Sequence, residues 1–445
     1  MMHKALVLFL SILFLTSSAN AQQLVSVEDV IALALQKNYD VQIARNVSDA
    51  AETDNRYAFG AFLPQINAVG ATVWNSNDQD LRFLDESRNI KGKAEGNNTT
   101  AAAQLSWTLF DGTRMFATRE RIAAIASQGE ILVKDQMVNT IASVANNYYD
   151  IVRQKQQLKA IEEQMAVSEV RVKLAERRLE VGTGAKPELL QAKVDYNAQR
   201  TQVLQQQSLI VQLKDQLNAL VGLALPKLYE VADTIIIDLD LQQEELSNNI
   251  ENTNFALQGS REELRIATLS LRERRAELSP FVDLNAAYNY SRTDNTRLLN
   301  PFGTVYNRSN GYSYGLSVNM PILTGFNQRR LIQQAKTNIL RQQILYQQAK
   351  VNVNIGLQNA FVNYDNAKKV LLVEEENILL ARENVYIALE TFKRGATTFV
   401  ELRTAQQSLA EAYTRLINAR YLAKAAEIDL LRLNGRLLAE VPSGQ

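Results

Sequence analysis

Phe281-Val282-Asp283-Leu284-Asn285-Ala286-Ala287-Tyr288-Asn289-Tyr290-Ser291-Arg292 changes face with nearly every residue. Val282, Leu284, Ala286, Tyr288 and Tyr290 fall on one side, and Asp283, Asn285 and Asn289 on the other. That period of two specifies a β-strand with one apolar and one polar face. The stretch from Tyr312 to Met320 alternates as cleanly, setting Tyr312, Tyr314, Leu316, Val318 and Met320 against Ser313, Gly315, Ser317 and Asn319. Earlier in the chain, Leu105, Trp107 and Leu109 oppose Gln104, Ser106 and Thr108, and a less regular partner lies near Gln65 to Trp74. The chain therefore holds two hairpins, at residues 65–110 and 281–320, whose polar links at about Asn75–Thr100 and Thr293–Asn310 read as exposed loops.

Strands of about 9 to 12 residues, apolar on one side and polar on the other, suit a barrel wall between lipid and an aqueous lumen. The lipid-facing candidates are Leu105, Trp107, Leu109, Leu284, Tyr288, Tyr290, Tyr312, Tyr314, Leu316 and Val318. A soluble hairpin packed on helices is the competing reading. Four strands cannot close a membrane barrel, because the smallest have about eight and lipid tolerates no unpaired edge. Other copies of the chain must complete the wall.

The hairpins belong to a duplication. Asn38 and Pro64 recur 216 residues later as Asn254 and Pro280; Gly112, Gly182, Glu188, Leu189, Ala192 and Gly222 recur 213 residues later as Gly325, Gly395, Glu401, Leu402, Ala405 and Gly435. In each half a proline-free run, residues 114–181 and 328–394, predicts a helix roughly 100 Å long, far beyond the mean of globular proteins. Heptads mark both: Val144, Ile151, Leu158, Met165, Val172 and Leu179, then Leu357, Tyr364, Leu371, Ile378, Val385 and Phe392. Shorter helices at 187–221 and 400–434 follow tight turns at 182–186 and 395–399. The last helix carries two seams, one of Leu402, Leu409, Leu416, Ala423 and Leu430, the other of Ala405, Ala412, Ala419 and Ala426. Two seams require neighbours on both sides, as in a ring of helices, whereas a two-stranded coiled coil needs one. A four-helix bundle with a single core is the alternative.

At the N-terminus Lys4 precedes an apolar run from Ala5 to Leu15, and Ala19-Asn20-Ala21 follows, which reads as a secretory signal peptide over 1–21. The remaining organisation is a first repeat at 22–222, a linker at 223–242, a second repeat at 243–435 and a tail at 436–445. No other stretch holds the roughly 18 to 20 apolar residues of a spanning helix. The 445 residues include no cysteine and a single histidine, His3, within the leader. Lipid attachment at the mature N-terminus, imidazole metal sites and the usual nucleophile–base pairs are thereby excluded, and no cofactor is expected. Lys plus Arg and Asp plus Glu each number 48, a balance that argues against a nucleic-acid partner. Acidic runs such as Glu374-Glu375-Glu376 spread around a helix and do not converge, so an enzyme is the weakest reading.

The duplication, the Asn38 and Asn254 helix starts, Pro64 and Pro280 entering the strands, Leu109–Gly112 and Ile322–Gly325 leaving them, and the glycine-acid-leucine turns together resemble the TolC family of outer-membrane efflux and secretion channels. The resemblance covers nearly the whole mature chain. It implies a mainly α protein with a membrane β-barrel: a homotrimer sharing one 12-stranded barrel, continued by a periplasmic α-helical barrel in the outer membrane of a Gram-negative bacterium. It also implies a tripartite efflux or type I secretion system, with a periplasmic adaptor (membrane fusion) protein and an inner-membrane pump of RND, ABC or MFS type. No nucleotide-binding motif is present, so energy must come from a partner. A secreted coiled-coil scaffold or adhesin without a pore is the alternative function.

By the same resemblance the adaptor meets the helical tips, at Gly182, Thr183, Gly184, Lys186 and Glu188 and at Gly395, Ala396, Thr397 and Thr398. Glu401 matches an acidic position that projects into the closed aperture, where threefold symmetry would make it a cation-preferring, pH-sensitive ring. The plain reading is a solvated carboxylate in a first helical turn. The family pattern departs nearby: Phe392 replaces a tyrosine, Thr397 a basic residue and Thr404 a second acid, so a hydrogen-bonded closed-state lock does not carry over.

Overall fold

The computed structural model describes residues 23–226, 229–300, 302–394 and 396–439. The leader read at 1–21, the tip residue Gly395 and the tail beyond 439 lie outside the described residues. In chain order the first half contains β1 (Gln23–Val25), α1 (Val27–Lys37), α2 (Tyr39–Tyr57), β2 (Gln65–Leu81), β3 (Ile90–Phe110), α3 (Arg114–Glu180) and α4 (Lys186–Leu220). There follow β4 (Tyr229–Val231), α5 (Gln243–Ser247), α6 (Ile250–Thr253), α7 (Phe255–Ala276), β5 (Phe281–Arg297), β6 (Tyr306–Asn319), α8 (Asn327–Lys393) and α9 (Phe399–Asn434). Contacts divide the described residues into two units, one formed by the chain up to Asn46, Ile131–Gln258 and the chain from Gln348 onward, the other by Val47–Glu130 and Gly259–Gln347.

The second unit holds a four-stranded antiparallel sheet of order β2-β3-β5-β6. Its register puts Trp107, Leu284 and Leu316 in one row, and Leu105, Ala286 and Tyr314 in the next on the same face. The opposite face carries Thr108, Asp283 and Ser317, with the Thr108 hydroxyl donating to Asp283 Oδ1 at 2.7 Å. Both outer strands, β2 and β6, keep one edge unpaired within the chain.

The strands outrun the sequence-based expectation, with 17, 21, 17 and 14 residues. The long loops expected at Asn75–Thr100 and Thr293–Asn310 are therefore wrong; only residues 82–89 and 298–305 connect the paired strands. The extensions are polar on both faces, so alternation cannot reveal them. Ladder hydrogen bonds still satisfy their backbone, and polar side chains pair across strands. Thr72 and Thr99 hydroxyls lie 3.1 Å apart, Ser76 donates to Glu95 at 3.4 Å, and Thr293 donates to Asn98 at 3.2 Å.

In the first unit much of the heptad seams is buried, in three clusters and not one. One joins Val144, Tyr148 and Ile151 of α3 to Ile210, Leu213 and Leu217 of α4 and to Ile428 and Leu431 of α9. Leu430 of α9 packs with Leu357 and Tyr364 of α8, and Ala412, Leu416, Ala419 and Ala423 pack with Leu371 and Ile378. Helix α9 thus contributes to all three clusters, which a bundle with a single core would merge into one.

Two joints show the duplication at atomic detail. Asn38 accepts from the Asp40 and Val41 N–H groups and caps α2, while its Nδ2 donates to the Leu220 carbonyl at the end of α4. Asn254 likewise accepts from the Leu257 N–H and donates to the Leu433 carbonyl near the end of α9 at 2.8 Å. One buried amide satisfies donors of one helix and an acceptor of another. The linker is not bare loop: β4 pairs in parallel with β1, and the segment 229–241 is tied to the helices by Tyr148, Lys155, Lys214, Tyr364, Lys368 and Glu427.

Candidate functional site

Two regions carry residues of functional interest, the helical tips and the two faces of the sheet. At the first tip α3 ends as Gly182 enters the left-handed region at φ 76°, and the Thr183 and Gly184 N–H groups both donate to the Arg178 carbonyl at 2.9 Å. This closes orphan carbonyls as a glycine C-terminal cap does. A Cβ on Gly184 would come within 2.9 Å of the Arg178 carbonyl carbon, so the second glycine answers a close approach of backbone. Gly182, Thr183 and Lys186 are exposed, whereas Glu188 is partly covered and faces the Arg178 guanidinium at 4.0 Å.

At the second tip Ala396 and Thr398 are exposed and Thr397 is half-buried. The Thr398 hydroxyl accepts from the Glu401 N–H at 3.2 Å, and the Glu401 carboxylate accepts from the Thr398 N–H at 3.0 Å and from the Thr397 hydroxyl. This is a reciprocal capping box, signalled by Thr398-Phe399-Val400-Glu401 and passed over by the sequence reading. Hydrogen bonding, from the Thr397 hydroxyl first and then the Thr398 backbone, holds the Glu401 carboxyl below its ordinary value. The charge that a ring would need is thereby favoured, although in the single chain the carboxylate folds back on its own helix start.

Contacts between the two hairpins near the tips also escaped the sequence. Asp195 of α4 takes Arg171 of α3 and Arg403 of α9, each at 3.2 Å. The Arg171 guanidinium lies 4.6 Å from the Phe399 ring centre, and that of Arg178 lies 5.1 Å from Phe392. Phe392 is buried, and its ring face meets the Arg178 cation. Arg171 and Arg178, seven residues apart on one stripe of α3, were the available signal. Their partners are too distant in sequence to be read from it.

On the sheet, Tyr312, Tyr314, Leu316 and Val318 are 66–80% exposed. Tyr288 and Leu109 are exposed as well, while Leu105, Leu284 and Tyr290 are half-buried. Trp107 is also half-buried, its indole N–H donating to the Phe62 carbonyl at 2.9 Å. Among the described residues no helix is long and apolar enough to cross a membrane, and no cluster of acidic side chains could hold a metal.

The family described as "Outer membrane efflux protein" matches this sequence over residues 30–223 and 246–436. The chain is similar to the outer membrane efflux protein BepC of Brucella suis, at 24% identity over 77% of this chain and 73% of that one. It is also similar to the outer membrane protein TolC of Vibrio cholerae, at 24% identity over 86% and 83%. Among solved structures, CusC superposes with a TM-score of 0.77 at 18% identity, covering 94% of this chain and 95% of that one.

Proposed function

The chain belongs to the outer membrane efflux protein family, and on that premise we propose that three copies close their sheets into one barrel and conduct cargo passively out of the cell. The observation that carries this is the sheet: four strands with one apolar face and two unpaired edges. Lipid leaves neither edge unsatisfied, so edge β6 of one copy pairs with β2 of the next until the wall closes. Twelve strands enclose an aqueous lumen lined by the face that carries Asp283, Asn285 and Ser317.

The long helices belong to the periplasmic part, and their tips receive the adaptor at Gly182, Thr183, Gly184, Lys186, Glu188, Gly395, Ala396, Thr397 and Thr398. An inner-membrane pump supplies the energy and selects the cargo. Glu401 stands three times around the aperture and favours cations.

Purified protein in mild detergent should have the mass of a trimer and conduct ions in a planar bilayer. A soluble, non-conducting oligomer would instead leave a scaffold. Glu401→Ala should lower the cation preference of the pore; unchanged reversal potentials would remove the acidic ring. Because the chain has no cysteine, a single Thr183→Cys variant offers a unique cross-linking site that should capture the adaptor.

A further inference from the structure

The outward face of the sheet changes character at one row. From Val282 and Val318 to Tyr290 it carries Leu284, Ala286, Tyr288, Tyr312, Tyr314 and Leu316. Eight residue-to-residue steps at about 3.4 Å each, tilted by about 40°, rise roughly 21 Å, close to the ~25 Å apolar band of a membrane barrel. The next row beyond, on the side of the 298–305 connection, sets Arg292 directly opposite Arg308.

Like charges directly opposite across a ladder are destabilising. The two side chains lean apart, each onto a tyrosine of the other strand: Arg292 lies 5.6 Å from the Tyr306 ring centre and Arg308 5.5 Å from that of Tyr290. Arg292 also pairs with Asp294 at 2.7 Å. Among the described residues Arg308 has no carboxylate partner, and it is exposed. It leans toward the apolar band, with its ring-stacked face fixed and its N–H edge left free. A stacked guanidinium presenting that edge matches the oxygens of a phosphate.

We infer that the Arg292–Arg308 row binds the phosphate of an anionic lipid headgroup in the outer leaflet, with Arg308 the principal ligand. This rests on the reading of the apolar face as lipid-facing. Two guanidinium groups against one carboxylate leave a positive charge at the height where headgroups begin, and Tyr290 beneath it supplies an amphipathic ledge.

Full-length protein in bilayers of phosphatidylcholine with and without phosphatidylglycerol provides the test, with lipid retention read by native mass spectrometry. Wild type should retain phosphatidylglycerol preferentially, and Arg308→Gln should weaken that retention about tenfold, as expected for losing a charge-assisted contact. Arg308→Lys should keep part of it. Lys91→Gln, whose side chain is 82% exposed in a distant row, should keep all of it. Equal retention by wild type and Arg308→Gln would overturn the inference. So would an equal rise in melting temperature from inorganic phosphate in detergent, which would mark a general anion site. Wild type that enters neither bilayer would overturn the lipid-facing reading itself.

Discussion

Helix α3 carries one heptad register into two different surroundings. Val144 and Ile151 are sealed from solvent, whereas Met165, Val172 and Leu179, on the same stripe, remain half-buried. In the first stretch the neighbouring helices are joined by α1 and by the linker, whose backbone is gripped from several sides. Tyr148 donates to the Val25 carbonyl at 2.9 Å and accepts from the Ala232 N–H at 3.0 Å; Lys155 and Lys214 donate to the Val231 and Tyr229 carbonyls. Toward the tip, among the described residues, no such strap is present, and ion pairs and guanidinium–ring contacts join the hairpins beside the buried Ala192, Leu402 and Ala405. Guanidinium–ring contacts contribute about 0.5–1 kcal/mol each at exposed sites, while the Arg171–Asp195 pair, with side chains 11% and 15% exposed, is largely covered. Identical periodicity therefore yields a sealed middle and a more open end on this stripe, and segments that must move are drawn from the less stable parts of a fold.

Ile151→Ala should lower unfolding stability by about 2–5 kcal/mol, whereas Val172→Ala should cost roughly 1 kcal/mol. Urea unfolding followed by circular dichroism would compare them, and equal losses would erase the distinction between middle and tip. Removing the cap with Thr398→Ala should cost about 1 kcal/mol locally, seen as faster hydrogen exchange over residues 399–402. The Glu401 half of that cap has a pH dependence. Its carboxyl is held low when folded, so its contribution is present above the unfolded value and fades as pH falls through the depressed one. Arg178→Ala should cost about 0.5–1 kcal/mol and speed exchange in residues 179–190 while leaving the global melting temperature nearly unchanged.

Glu427 supplies a titration in the strapped region with the opposite sign. Burial raises its carboxyl above the ordinary value, against the pull of Lys424 at 2.7 Å and the Asp238 N–H at 3.0 Å. A carboxyl with a raised native pKa binds protons more tightly folded than unfolded, so its contribution declines as pH rises past the unfolded value. Wild type should therefore gain stability relative to Glu427→Gln as pH is lowered from neutral through that raised range. A constant difference across pH would show that Glu427 titrates alike in both states.

The strands at 281–292 and 312–320 were legible because each residue declares its face to its immediate neighbours. The strand extensions beyond Trp74 and Arg292 were not, since a hairpin free of lipid needs no apolar side. At the tips the glycine cap of α3 and the first-turn acid could be read locally. The fold-back of Glu401 onto Thr398 had a four-residue signature that went unread, and the pairing of Asp195 with Arg171 and Arg403 had none.

Local pattern by itself determined the clearly alternating strands and the two long helices, because periods of two and seven follow from backbone geometry over short spans, and recurrence at 213–216 residues revealed their duplication. Tertiary structure alone decided which polar groups meet. Asn38 reaches the Leu220 carbonyl, Lys155 the Val231 carbonyl, and Arg308 stands beside Arg292. Such meetings depend on how distant segments are brought side by side, and a pairing across many residues leaves no periodic trace in the chain.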